Sequence, residues 1–183
     1  MLSANGNGTI TASDIDGGSS DVCGIASLSA SPMSFGCNDI GSNSVVLTVT
    51  DNAGNISTCA STITVIDNQS PVAVCNDITV QLDGSGSGTI TTGDVDGGSS
   101  DACGISAYQL SVSVVSCADV PSQTTVLTVT DVNNNISTCQ AAITVQDNVM
   151  PTALCMDATV NLDAGVMASI TTATVNNGSG DNC

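Results

Sequence analysis

The sequence predicts an all-β protein built from tandem antiparallel β-sandwiches, with about seven strands in each 80-residue repeat. Three observations carry that expectation. Apolar residues alternate with polar ones instead of recurring every third or fourth position, as in Ile78, Val80, Leu82, then Leu127, Val129, then Ile143, Val145. Turn-rich strings separate these runs at short intervals. All 17 acidic residues are Asp, whose short side chain favours turns and competes with helix, so essentially no helix is expected.

The repeat sets the order of the elements. Residues 1–70 align without a gap on residues 81–150, with 36 of 70 positions identical, and residues 151–183 align on 71–103. The string DIDGGSSDVCG at Asp14 to Gly24 recurs as DVDGGSSDACG at Asp94 to Gly104, and a degraded copy, TVNNGSGDNC, stands at Thr174 to Cys183. Linkers IDNQSP (Ile66 to Pro71) and QDNVMP (Gln146 to Pro151) each end in a proline that starts a strand. The expected domains are therefore 1–70, a repeat lacking its first strand; 71–150, a complete repeat; and 151–183, the N-terminal part of a third. Within 71–150 strands are expected near 72–75, 78–82, 88–92, 105–111, 113–117, 124–130 and 137–146. The phasing reads as a window of a longer polyprotein, in preference to a separate subunit.

Composition narrows the function. With no Lys, Arg or His, the net charge is −17, which disfavours nucleic acid and anionic membrane surfaces and favours inorganic cations. The same inventory argues against an enzyme, because no base is present to activate a Ser or Cys nucleophile. A glycosidase built on paired Asp would want aromatic platforms, and the aromatic set is Phe35 and Tyr108. A core of Val, Ile, Leu and Ala is thin, and nine cysteines without metal-finger spacing point to disulfides and an extracellular, oxidising location. No apolar stretch reaches membrane-spanning length, so no membrane insertion is expected, and MLSANGNG does not read as a secretion signal.

The strings VLTVTDNAGNISTC (Val46 to Cys59) and VLTVTDVNNNISTC (Val126 to Cys139) resemble the strand-hairpin-strand signature of hyalin-repeat (HYR) immunoglobulin-like domains. The Asp-x-Cys at 21–23 and 101–103, the unit length and the proline-led first strand with its cysteine extend the resemblance over the whole chain. It implies an immunoglobulin-like fold and tandem arrays in secreted or surface-attached adhesion proteins, many of them bacterial. Leu47 and Leu127 depart from the family pattern, which places a cysteine in the penultimate strand.

Four cysteines per unit allow three connectivities. In an immunoglobulin-like sandwich the first and last strands begin at one pole, so Cys75 is expected to pair with Cys139, leaving Cys103 with Cys117. By translation Cys23 pairs with Cys37, while Cys59, Cys155 and Cys183 find partners outside the window or on a neighbouring subunit.

Clustered carboxylates in a chain without basic residues call for a cation. Asp94, Asp96 and Asp101 from the loop, Asp131, Asn133 and Asn135 from the hairpin, and Asp67 and Asn68 from the linker are the candidate ligands, with Asp147 at the next linker. Asp14, Asp16, Asp21, Asp51 and Asn55 form the first-repeat set. In the third copy Thr174 and Asn176 replace two carboxylates, which predicts a weaker site. Hard oxygen donors select Ca2+, with Mg2+ second; the same residues also suit Asx-turn caps, but the absence of any cationic side chain tips the balance to a metal. The resulting expectation is a structural subunit of an extracellular filament, fibre or stalk, calcium-stiffened and disulfide-stapled, whose partners are neighbouring repeats head to tail. The alternative is a multivalent adhesin binding glycans or partner proteins. Five Asn-x-Ser/Thr sequons (Asn7, Asn55, Asn68, Asn135, Asn177) leave a sugar coat open.

Overall fold

The computed structural model describes residues 1–165 and 167–183. They fall into two compact units, one of Met1–Val74, Gly98–Gln109 and Thr128–Thr138, the other of Cys75–Gly97, Leu110–Leu127 and Cys139–Cys183. The chain is all-β, in small sheets of short and long strands.

In the first unit, strand β1 (Gly8–Thr9) is followed by a one-turn helix α1 (Ala12–Ile15), then β2 (Ile25–Ser31), β3 (Ser34–Phe35), β4 (Gly41–Asp51) and β5 (Ile56–Val65). Strands β2, β4 and β5 form one antiparallel sheet in that order, and β1 pairs with β3. The alternation of β4 points Val45 and Leu47 inward. Leu2, Ala30, Phe35, Val45 and Val65 form the core, against which Ile10, Ile15 and Ile63 pack.

The second repeat continues with β6 (Ile78–Gln81), β7 (Ser87–Thr89), helix α2 (Thr92–Val95), β8 (Ile105–Leu110), β9 (Val114–Ser116), β10 (Ser122–Asp131) and β11 (Ile136–Gln146), and the chain ends after helix α3 (Thr172–Val175). The sheet order is β6-β11-β10-β8, with β7 on β9. One pair departs from the antiparallel expectation: β6 runs parallel to β11, with Ile78 opposite Ile143 and Val80 opposite Val145. Leu82, Ile90, Val95, Val115, Leu127, Ala141, Ile143 and Val145 are buried in the second unit. Buried Thr125 satisfies its hydroxyl on the backbone of Val112, donating to its carbonyl at 3.0 Å and accepting from its N–H at 3.1 Å.

The helical turns are the first correction. Residues 88–92 were expected to be one strand, yet the strand stops at Thr89 and helix α2 begins at Thr92. The cause is local: Thr91-x-x-Asp94 folds on itself, the Asp94 carboxylate accepting the Thr91 N–H at 2.8 Å and its hydroxyl at 2.6 Å. Thr11 and Asp14 repeat the arrangement at α1, at 2.7 and 2.8 Å. Asp119 does the same for a single 3-10 turn at Cys117–Asp119, accepting from Ser116.

The cysteines give the second correction. Cys75 bonds to Cys139. The expected pairs Cys103 with Cys117 and Cys23 with Cys37 do not form; Cys37 bonds to Cys103, and Cys117 to Cys183, each across 66 positions. The partners lie in successive repeats because the Asp101 to Cys103 loop of one repeat reaches the turn that carries the half-cystine of the repeat before it. The Cys37 Sγ stands 3.6 Å from the Ala102 carbonyl oxygen and 3.8 Å from that of Gly6. Gly6 is required there, since its φ is +73° and an added Cβ would sit 2.8 Å from that sulfur. Gly86 holds the equivalent place beside Cys117. Cys23, Cys59 and Cys155 are exposed thiols.

Candidate metal centre

The inward-facing row of β10 runs Thr125, Leu127, Val129 and then Asp131, so strand periodicity carries a carboxylate into the buried face. Asp131 has no solvent exposure. Burying a charge is costly unless it is hydrogen-bonded, and the hairpin supplies the donors. Asp131 Oδ1 accepts the backbone N–H of Asn133 and of Asn135, both at 2.8 Å, and Oδ2 accepts the Asn135 side-chain amide at 2.7 Å. Asn134, between them, takes a left-handed φ of +69°, which Asn tolerates. That same Asn135 amide donates to the Asp67 carbonyl at 3.2 Å, tying the linker to the hairpin.

The linker then presents a carboxylate that its neighbours do not satisfy. Asp67 is 7% exposed. Its Oδ1 accepts the Gln69 N–H at 3.0 Å, while its Oδ2 is buried with no hydrogen-bond partner. Asn133 Oδ1 is likewise buried and unpartnered. Asp101, half-buried, offers a carboxylate oxygen within 4.8 Å of an Asp67 oxygen, and its Oδ1 already accepts the N–H groups of Cys103 at 2.7 Å and Gly104 at 3.2 Å. The Cys103 sulfur lies in the same group but is bonded to Cys37 and is no thiolate ligand. Two close carboxylates, one of them with an orphaned oxygen, fit a hard divalent cation. Asp67 and Asp101 are the residues that would hold it, and the Asn135 amide ties the hairpin to the linker at the Asp67 carbonyl.

The other expected ligands are engaged locally or, for Asn68, exposed. Asp94 and Asp14 cap their helices, and these bonds hold both carboxyls below the usual range, chiefly through the Thr91 hydroxyl for Asp94 and the Thr11 N–H for Asp14. Asp96 donates its backbone N–H to the Thr92 carbonyl at 2.9 Å. Asp16 accepts from the Ser19 hydroxyl and N–H, which lowers its pKa. Asp21 accepts the Cys23 N–H at 2.7 Å. Asp51 and Asn55 reproduce the hairpin of Asp131 and Asn135 bond for bond, and the Asn55 amide holds the Asp51 carboxyl low. Asn68 is exposed. The sequons are not equivalent either, for the Asn135 amide that a glycan would modify is spent on Asp131 and Asp67.

Asp147 marks a difference between the linkers that sequence reasoning missed. Where the first linker faces Ala102, the second faces Asn182, whose amide donates to Asp147 Oδ1 at 3.2 Å and to the Asp83 carbonyl at 3.1 Å. The signal lay in the alignment, as an amide at position 182 in place of Ala102. Asp77 was also overlooked: its carboxylate accepts the Ala142 N–H at 2.7 Å and fixes the entry to β6.

No family model matches the chain, and no curated relative does. Among solved structures it is similar to extracellular cadherin domains 1–4 of protocadherin gamma B7, at 13% identity and a TM-score of 0.39 over 74% of this chain and 46% of that one. The protocadherin gamma B4 extracellular domain matches at 15% and 0.37, over 73% and 28%. Mouse clustered PcdhgC3 EC1–3 matches at 15% and 0.32, over 60% and 44%. The chain thus spans less than half the length of each of these proteins, and likenesses this distant carry no argument about what it does.

Proposed function

We propose that this chain is a structural stretch of an extracellular array of immunoglobulin-like repeats of the HYR type, stapled head to tail by disulfides and stiffened at its linkers by Ca2+. The observation that carries the reading is the equal spacing of Cys37–Cys103 and Cys117–Cys183. A bond that recurs with the period of the sequence links each repeat to the next, which suits a fibre or stalk. Three disulfides in one chain belong to an oxidising compartment. No helix among the described residues is long and apolar enough to cross a membrane.

Ca2+ would sit between Asp67 and Asp101, where it would neutralise the facing carboxylates and give the orphaned Asp67 oxygen a partner. The array reading is tested by electron microscopy of the native assembly, with beaded threads of roughly 80-residue spacing as the expected image. Isolated particles, together with a glycan-array hit on a single repeat, would overturn it in favour of an adhesin. Calcium is tested by melting: a rise with Ca2+ that chelator reverses supports it, and an unchanged melting temperature after confirmed metal removal counts against it.

A further inference from the structure

We propose that Asp67, Asp101 and Cys103 form a redox-switched metal site. With the Cys37–Cys103 disulfide open, the three side chains hold Zn2+; closing the disulfide withdraws the sulfur, releases Zn2+ and leaves two carboxylates suited to Ca2+. This rests on the candidate centre described above and adds what controls the kind of ion it takes.

The ligand atoms are already together. One carboxylate oxygen of Asp67, one of Asp101 and the Cys103 sulfur all lie within 4.8 Å of one another, and among the described residues no other group of three such side chains converges. Asp67 is more than nine-tenths buried, at 7% exposure, and its Oδ2 has no hydrogen-bond partner. A buried carboxylate oxygen left this way calls for a positive partner, and no basic side chain can supply it. A cleft of about 290 Å3 lined by Gln69, Ser70, Val72, Ser100 and Asp101 gives an ion and its water a way in.

The hydrogen bonds that position these atoms do not run to Cys37. Asp101 Oδ1 accepts the N–H groups of Cys103 at 2.7 Å and Gly104 at 3.2 Å, which fixes the backbone of the sulfur's own residue against the carboxylate. The Gly104 carbonyl accepts the Val132 N–H at 3.1 Å and seats the loop on the hairpin. On the linker, the Gln69 N–H holds Asp67 Oδ1 at 3.0 Å and the Asn135 amide holds the Asp67 carbonyl at 3.2 Å. Opening the disulfide therefore frees the sulfur without dismantling its surroundings.

The state of the sulfur decides which ion fits. Only the thiolate is a metal ligand, and it is a soft donor that favours Zn2+ over Ca2+. Two carboxylates and one thiolate, with water in the fourth position, make an open tetrahedral zinc site. Ligands of such a site stand about 3.5 Å apart, so atoms that start within 4.8 Å close by at most about 1.3 Å (4.8 − 3.5), a side-chain rotation. With the sulfur locked in the disulfide the remaining donors are all oxygen, which is the calcium preference.

The chemistry balances with glutathione as the redox partner. Two glutathione molecules open the bond, supply two electrons and two protons, and leave as glutathione disulfide. Zn2+ then displaces the Cys103 thiol proton to solvent and forms the Zn–S bond. In reverse, the two sulfurs pass two electrons to glutathione disulfide, which takes up the Cys37 proton and one from solvent. The S–S bond replaces the Zn–S bond, and Zn2+ leaves.

The test uses the 183-residue chain carrying Cys23→Ser, Cys59→Ser and Cys155→Ser, which removes the three free thiols. In this parent Cys37→Ser leaves the Cys103 thiol unbonded, and recovery of the Cys75–Cys139 peptide shows that the variant is folded. Cd2+, a spectroscopic stand-in for Zn2+, should give an ultraviolet thiolate-to-metal band at one equivalent that Zn2+ displaces, and the disulfide-bonded parent should give none. Adding Asp67→Asn or Asp101→Asn should weaken binding at least about tenfold, the loss that even an outer-shell partner causes. A second measurement keeps both cysteines: the parent is reduced with glutathione and alkylated with and without Zn2+, and peptide mapping should show Cys103 protected and Cys37 not. If Cys37→Ser does not fold, this result decides. No band in the folded variant, a band that both Asp substitutions leave unchanged, or equal protection of the two cysteines overturns the switch. Calcium-dependent melting of the disulfide-bonded parent is read alongside and bears on the calcium reading alone, so either can fail without the other.

Discussion

Asp67 and Asp101 place carboxylate oxygens within 4.8 Å of one another, in a chain that has no lysine, arginine or histidine to set between them. Replacing Asp67 by Asn removes one of the two charges and keeps the shape. In metal-free protein Asp67→Asn should therefore stabilise, by about 1–3 kcal/mol, the range a like-charge pair at this separation spans between bulk water and a near-surface dielectric. The same variant should lose the rise in melting temperature that Ca2+ gives. Thermal melts in chelator and in excess Ca2+ read both signs, and a variant that keeps the full calcium-dependent rise would exclude Asp67 as a ligand.

The Cys75–Cys139 bond closes 64 positions. In the chain-entropy account a loop of that size contributes about 4 kcal/mol, a large part of a small domain's stability. The double variant Cys75→Ala, Cys139→Ala should lose roughly that much in denaturant titration. A loss below about 1 kcal/mol would show that the staple constrains little.

Acid should release the caps of the short helices only at low pH. Asp94 is held below its ordinary pKa, first by the Thr91 hydroxyl and then by the Thr91 N–H. A carboxyl lowered on folding contributes stability that is complete above the unfolded value of about 3.9 and is lost as pH falls through the lower folded value. Carboxyl chemical shifts followed by NMR should show Asp94 titrating below model peptides, and Thr91→Val should move it upward. An Asp94 that titrates normally would remove the cap from the account of α2.

Equivalent leucines in successive repeats should behave differently. Leu82 is buried and Leu162 exposed. Leu82→Ala should cost about 2–5 kcal/mol, the usual range for a core cavity, whereas Leu162→Ala in the monomer should cost under about 0.5 kcal/mol. Equal effects would mean that residues 151–183 are covered in solution.

Much of this architecture can be read from alternation. The run from Thr125 to Asp131 shows its inward face directly, and the repeat then transfers each strand by translation. The cysteine pairing was not legible by the same route, because counting four cysteines per unit assumes that bonds close within the unit. Here Cys37 reaches Cys103 of the following repeat. The short helices were hidden by an all-Asp composition that argues for turns, though Thr91-x-x-Asp94 is itself a helix-start signal. In the candidate metal centre, Asp67 and Asp101 could be named from charge alone. That Asp94 belongs to a cap depends on which donors the backbone brings within reach, and position 94 in a list of acidic residues does not reveal it.

The overlap of the disulfides has a mechanical consequence. The loops 37–103, 75–139 and 117–183 overlap along the sequence, and a covalent route from Cys37 to Cys183 crosses one bond to Cys103, follows the backbone to Cys117, and crosses a second bond. That route uses 14 residue steps (117 − 103) where the backbone alone uses 146 (183 − 37). At about 3.5 Å per extended residue, the segment reaches its limit near 50 Å instead of near 500 Å. Under tension the load passes through the short path containing β8 and β9, and most of each sandwich is shielded from the pull. An array joined this way would be limited in extension, since the disulfides cut the length that unfolding a repeat could release about tenfold.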